Sequence, residues 1–200
     1  EIDLTLETNS PRTLVNYSSR LSDEMAQAFE DQQPDLLFVL GDRYEILAAA
    51  YAATLFNIPI AHAHGGEVTL GAIDDQIRNA VTKLSHLHFV SHESHRKRLI
   101  QMGESSDNVY NVGAFGFEPI HNLSLLQKDE LERSLEWEIP PKTALFTFHP
   151  ETLKEEQTLH NLKTLLQAVN TIEGLKLIIT YPNADLHGQK FIKALKDFVC

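Results

Sequence analysis

Residues 36–67 read LLFVLGDRYEILAAAYAATLFNIPIAHAHGGE, and the order of apolar and polar residues along them decides the fold class. The run LLFVL at 36–40 is short, continuously apolar and set between Pro34 and Gly41, the pattern of a strand buried on both faces. An alanine-rich helix follows at about 45–57, and IPIAHAH at 58–64 is a second strand. A strand, a helix and a strand joined by short connections form a parallel pair with a crossover.

The same alternation extends in both directions. Upstream, Ser10 offers an N-cap oxygen and Pro11 a preset φ, and Leu14, Tyr17, Leu21, Met25 and Ala28 recur at helical spacing, so 9–33 is mostly one amphipathic helix. Downstream, a third helix starts near Asp74, its apolar stripe formed by Ile73, Ile77, Ala80, Val81 and Leu84, and the strand HLHFVS follows at 86–91. A fourth helix at about 93–102 closes on Gly103 as a C′ glycine, and VYNVG at 109–113 is the next strand. The pattern predicts a parallel sheet covered by helices, a doubly wound α/β domain that binds ligands at the carboxyl ends of its strands.

Three segments organise the chain: a first α/β domain over 1–122, a connector over 123–142 with a short helix near 128–135, and a second α/β unit over 143–200. The second unit reads as a strand at 144–149, a long helix at about 151–172, a strand at 175–181 and a helix after Gly188. Two strands are too few for a whole domain, the chain opens on Glu1, and it stops within a helical run. It is therefore expected to be part of a longer protein, with both domains incomplete.

Composition excludes several function classes. The 200 residues are 42% hydrophobic and 22% charged, ordinary for a globular chain. A formal net charge of −11 provides no basic field for nucleic acid, and the only cationic run is Arg96, Lys97 and Arg98. No stretch approaches the roughly 18 apolar residues of a membrane span. The single cysteine, Cys200, has no partner in the chain for a disulfide, in keeping with a cytoplasmic setting.

Polar clusters fall where the fold places ligands: Gly41, Asp42 and Arg43 after LLFVL, His62 to Glu67 after IPIA, His149 to Thr152 after ALFTF, and Tyr181 to Asp185 after LIIT. The alternate histidines 62 and 64 admit three readings. They are metal ligands completed by Glu67, Asp74 or Asp75, or histidines satisfied by buried hydrogen bonds, or orienting groups in catalysis. Asp42, Glu67 and Asp75 come from successive strand ends or the loops beyond, and converging carboxylates raise at least one pKa toward the range useful for proton transfer. Asp74 is expected as the N-cap of the third helix, with Asp75 in its first turn. Asp42 and Arg43 pair with one another at a turn, or Arg43 serves a diphosphate. His149 is expected to face a cleft between the two units. Ser85 with His86, and His92, Glu93 and His95, read as surface or capping residues.

The segments GDRYEILAAAYAA, IAHAHGGEVTLGAIDDQIRNAVTKLSHLHFVSHE, NVGAFGFEPI, TFHPET and YPNAD together resemble the hydrolysing branch of the UDP-N-acetylglucosamine 2-epimerases, enzymes of sialic-acid-type sugar synthesis. The match runs from about Asp35 to Asp185, and its most specific block is HGGE with GAIDD and IRNAVTKLSH. The resemblance implies two Rossmann-like domains similar to GT-B glycosyltransferases and a UDP-sugar substrate, with no metal and no cofactor. It further implies C2 deprotonation, loss of UDP to a 2-acetamidoglucal, and hydration to N-acetylmannosamine. It assigns Asp42, Glu67, Asp75 and His149 as catalytic, with Glu67 the base and Asp75 the returning acid. Arg43, His149 and Asn183 become UDP contacts, and His64 and Arg78 orienting groups. The family's first strand, its early basic loop, and the later serine-rich and ribose-binding regions have no counterpart here, so the 200-residue chain is expected to turn over weakly if at all. A homo-oligomer, dimer or tetramer, is expected of the full-length protein. The nonhydrolysing branch, a UDP-2,4-diacetamido sugar as substrate, and a non-catalytic sugar-nucleotide binder remain the alternatives.

Overall fold

A computed structural model describes residues 10–117, 120, 123–151, 154–182 and 188–199. The chain forms two compact units, Glu1–Asn122 and Leu123–Cys200. The first runs α1 (Pro11–Gln32), β1 (Leu37–Leu40), α2 (Tyr44–Leu55), β2 (Ile60–Ala63), α3 (Asp74–Leu84), β3 (Leu87–Val90), α4 (Glu93–Gln101), a 3₁₀ turn at Ser106–Asn108, and β4 (Val109–Asn111). Its strands make a parallel sheet in the order β1-β2-β3-β4.

Local chemistry fixes the helix ends. Ser10 Oγ accepts the Thr13 amide at 3.1 Å, and Pro11 opens α1. Within α2, Ala48, Ala50, Ala52 and Ala53 are buried, because small side chains let this helix pack closely between α1 and α3. Phe29, Val39, Ala53, Ile60 and Val81 join α1, the sheet and α3 in one core, while Val90, Leu99 and Val109 form a second cluster under α4.

Strands in sequence order with right-handed crossovers place their connecting helices on one face of the sheet. Val39 on that face is buried, whereas Phe38 and Leu40 are 53% and 52% exposed, so LLFVL is not covered on both faces as its composition suggests. On the opposite face Phe38 meets Phe89, and Phe89 stacks on Tyr110 with ring centroids 5.8 Å apart.

The second unit contains α5 (Lys128–Leu135), β5 (Thr143–Phe146), α6 (Glu155–Asn170), β6 (Lys176–Ile179) and α7 (Gly188–Val199). Gln127 and Glu130 cap α5 reciprocally. β5 and β6 pair in parallel over a core of Phe146, Leu162, Leu166, Phe191 and Leu195. Both strands are shorter than their apolar runs suggest. Beyond the ladder, Thr147 and Thr180 hydrogen-bond through their hydroxyls at 2.8 Å. The helix expected from Glu151 begins at Glu155.

Two histidines lie inside the first unit. His62 and His88 are register partners on β2 and β3, and both are fully buried. His62 Nε2 donates to the Gly41 carbonyl at 2.8 Å, and its Nδ1 lies 3.3 Å from Thr82 Oγ1. His88 Nε2 lies 3.2 Å from Glu104. Burial, partly opposed by the Gly41 carbonyl, lowers the His62 pKa to about 4. Burial likewise lowers His88.

A histidine at about 4 in the fold and near its ordinary 6.5 when unfolded favours the fold in its neutral form. That stability is complete above pH 6.5 and is lost as pH falls toward 4, a change on the order of 3 kcal/mol for His62. Urea unfolding midpoints should therefore drop between pH 7 and pH 5, and the drop should narrow in His62→Gln compared with that variant's own pH 7 value. An unchanged slope in the variant would assign the acid sensitivity elsewhere.

Candidate active site

The site of the first unit is assembled from residues just beyond the carboxyl ends of its strands. Asp42 follows β1, His64 to Glu67 follow β2, Ser91 follows β3, and Asp75 lies in the first turn of α3. His64 adopts φ +65°, a left-handed conformation uncommon outside glycine, and this swings its ring off the strand direction. Its ring lies 5.5 Å from Phe115 and its Nδ1 2.9 Å from Glu67 Oε1.

Arg78 holds the acidic groups together. It is only 3% exposed, and its Nη2 donates to the Asp42 carboxylate and to Thr69 Oγ1 at 2.7 Å. Its Nη1 donates to the Glu67 carbonyl at 2.9 Å and to Asp75 Oδ1 at 3.3 Å. Asp75 Oδ1 also accepts the Thr69 amide at 3.0 Å. The side chains of Asp42, Glu67 and Asp75 remain 26%, 33% and 32% exposed, so the guanidinium is enclosed while each carboxylate keeps a solvent-facing side.

Glu67 differs from the pKa expected of clustered carboxylates. Burial pushes it up, but donation from Ser91 and His64, together with the charge of His64 and His95, outweighs burial and holds it below the ordinary carboxylate value. It is ionised at neutral pH, the state a base requires. The reason is geometric: Arg78 stands between the neighbouring acids, and hydroxyl and imidazole donors stand at Glu67 itself.

Several expectations change on contact with the geometry. Ile73, not Asp74, occupies the N-cap position of α3, and Asp74 is its first helical residue. Asp42 bonds Arg78, whereas Arg43 pairs with Glu45 at 3.1 Å and lies over the Tyr44 ring. His62 and His64 do not converge, since one is buried against Gly41 and the other turns to Glu67. Among the described residues no group of three or more His, Cys, Asp or Glu side chains is arranged to hold a metal. His149 lies in the second unit, exposed beyond β5. Asn183 falls outside the described residues, as do Thr152 and Asp185.

Sequence reading passed over Ser91 and took His95 as a surface or capping residue. Ser91 Oγ donates to Glu67 Oε1 at 2.7 Å and lies 3.0 Å from His95 Nδ1. The available signal was position, because Ser91 follows β3 directly at the same ligand edge as the other clusters. His92, by contrast, caps α4, its Nδ1 accepting the Ser94 amide.

Fold and site define a class: α/β proteins that gather carboxylates, an arginine and histidines at the carboxyl edge of a parallel sheet. The profile of the UDP-N-acetylglucosamine 2-epimerase family matches residues 1–199, and the chain belongs to that family. A hydrolysing GDP/UDP-N,N'-diacetylbacillosamine 2-epimerase of Campylobacter jejuni is 41% identical over 99% of the chain and 52% of its own length. A hydrolysing UDP-N,N'-diacetylbacillosamine 2-epimerase of Legionella pneumophila is 34% identical over 86% of the chain and 45% of its own length. The chain thus spans about half the length of these curated relatives. The crystal structure of the UDP-GlcNAc 2-epimerase of Neisseria meningitidis bound to UDP-GlcNAc matches 96% of the chain and 53% of its own, with TM-score 0.75 and 20% identity. That of Methanocaldococcus jannaschii, in complex with UDP-GlcNAc and UDP, matches 93% of the chain and 51% of its own, with TM-score 0.76 and 18% identity. At such identities the likeness establishes the fold.

Removing Arg78 would leave Asp42 and Asp75 as neighbouring charges without their shared cation. Arg78→Ala should destabilise the chain by on the order of 3 kcal/mol, whereas Arg43→Ala, which leaves this hub intact, should cost about 1 kcal/mol or less. Paired urea titrations measure both, and equal losses would deny Arg78 its central place.

Proposed function

We propose that the full-length protein is a hydrolysing UDP-sugar 2-epimerase. The observation that carries this reading is the gathering of Asp42, Glu67 and Asp75 around Arg78 with Glu67 kept ionised, in a chain whose relatives at 41% and 34% identity are named hydrolysing 2-epimerases. A sugar C–H is a weak acid, so the reaction needs a positioned base and a leaving group whose departure is assisted.

In the proposed reaction Glu67 takes the proton from C2, the C–H electron pair becomes the C1=C2 double bond, and the C1–O bond breaks to release UDP. Asp75 then returns a proton to C2 on the other face as the oxygen of water bonds to C1; the proton that water releases restores Asp75, and Glu67 gives its proton to solvent. Asp42 orients, with His64 and Arg78, and His149 belongs to the catalytic set and to the UDP site with Arg43 and Asn183. The chemistry takes no metal and no cofactor.

The diacetylbacillosamine relatives favour a UDP-2,4-diacetamido sugar as substrate, and the family match favours UDP-GlcNAc, which would give N-acetylmannosamine for sialic-acid-type synthesis. We infer a cytoplasmic homo-oligomer that acts on UDP-sugars and not on nucleic acid or membrane. Among the described residues no helix is long and apolar enough to cross a bilayer. The 200-residue chain alone should turn over more slowly than the whole protein.

A proton NMR time course of the full-length protein with each UDP-sugar in deuterated water tests the reading. The expected result is free UDP and a manno-configured sugar deuterated at C2, with kcat of Glu67→Gln lowered by about 10²-fold or more. A UDP-linked manno product would assign the nonhydrolysing reaction, and binding without turnover would make the protein a sugar-nucleotide binder.

A further inference from the structure

The hydrogens around Glu67 can be counted. Ser91 has one hydroxyl hydrogen, and at 2.7 Å from an ionised carboxylate that hydrogen is donated to Glu67 Oε1. The Ser91 oxygen is then the acceptor in its 3.0 Å contact with His95 Nδ1, so His95 carries a hydrogen on Nδ1. His64 Nδ1, 2.9 Å from the same Oε1, must also donate. Two donors converge on one carboxylate oxygen, and among the described residues Oε2 has no hydrogen-bond partner.

His95 is held where this chain of donors needs it. It lies in the first turn of α4, its amide bonded to the His92 carbonyl at 3.0 Å. Gly66, with φ +78°, lies against its backbone, and a Cβ there would stand 2.7 Å from the His95 carbonyl oxygen. Arg98 of α4 donates to the Gly66 carbonyl. The loop that carries Glu67 and the helix that carries His95 are thus joined at Gly66.

We propose that Ser91 and His95 are positioning residues for the Glu67 base: His95 Nδ1–H fixes the Ser91 hydroxyl hydrogen on Oε1, which leaves Oε2 as the oxygen that takes the proton from C2. This deepens the epimerase reading and rests on it. In the step itself the proton passes from C2 to Oε2, the C–H pair forms the C1=C2 bond, and UDP departs with the C1–O pair, while Oε1 keeps both donors. Protonation at Oε1 would displace them. The titratable groups that act on Glu67 are His64 from its own loop and His95 from α4; Arg78 from α3 bonds the Glu67 carbonyl, Arg98 from α4 bonds the Gly66 carbonyl, and His92, the α4 cap, acts on His95. Burial lowers His95, against the opposing pull of the Glu67 charge.

The experiment is the pH dependence of kcat and KM for the full-length protein. Ser91→Ala removes one donor, so the acid limb of kcat should move up by about one pH unit. The plateau should fall about tenfold or more from lost orientation, with KM nearly unchanged. Ser91→Thr keeps the hydroxyl and should restore both. His95→Asn, which offers an N–H near the Nδ1 position, should lie closer to wild type than His95→Leu, and this second pair serves if Ser91→Ala does not fold. A wild-type acid limb and plateau in Ser91→Ala, or Ser91→Thr no better than Ser91→Ala, would overturn the proposal. If Glu67→Gln itself keeps wild-type turnover, the epimerase reading of Glu67 fails. If Glu67→Gln is inactive while the Ser91 and His95 variants keep the wild-type profile, the positioning role alone fails.

Discussion

A buried guanidinium is the constraint on which the first unit depends. Arg78 is almost fully enclosed, and an unpaired cation there would cost several kcal/mol, so the fold supplies acceptors from three segments: Asp42 beyond β1, Glu67 and Thr69 beyond β2, and Asp75 one helical turn before it on α3. Satisfying Arg78 thus brings the acidic groups to one place. The same contacts explain why the Asp42 and Asp75 carboxylates coexist with their outer sides in solvent, since the cation bonded to both offsets their repulsion.

The second constraint is steric. HAHGGE divides its labour residue by residue: His62 fills the interior under Thr82, Gly65 has His62 Nδ1 and Thr82 Oγ1 at 3.2 Å from any added Cβ, and Gly66 lies on the His95 backbone. His64 turns through a left-handed conformation to reach Glu67. The two histidines of one motif are chemically alike and functionally opposite. One is a core residue kept neutral by burial, the other a donor at a carboxylate that is one-third exposed.

How much of this was legible in the sequence differs by element. Apolar runs bounded by Pro34, Gly41 and Gly103 expose the strand and helix alternation, because burial and backbone conformation are written into residue type. The ligand edge is equally readable once the strands are, and Asp42, Glu67, Asp75, His64 and Arg78 do meet there. Burial of LLFVL on both faces was misjudged because apolar composition does not say which face a crossover covers. Asp74 lost the cap position because the chain is already helical at Ile73, whose φ is −66° and ψ −23°. Ser91 and His95 stayed hidden because their meaning depends on a carboxylate 24 residues upstream of the serine, a separation periodicity cannot express.

An enzyme that removes a proton from one face of a carbon and returns one to the other needs two carboxyl groups that do not compete for the same protonation state. Distance alone does not separate Glu67 from Asp75, since one guanidinium nitrogen bonds the Glu67 carbonyl and the Asp75 carboxylate. Their surroundings separate them. Glu67 receives a serine hydroxyl and a histidine N–H at one oxygen, donors that favour its charged form. Asp75 shares Arg78 with Asp42, so protonation of Asp75 would leave the buried cation still paired. In the reaction proposed above, Arg78 would remain charged while the proton moves among groups that are each partly open to water.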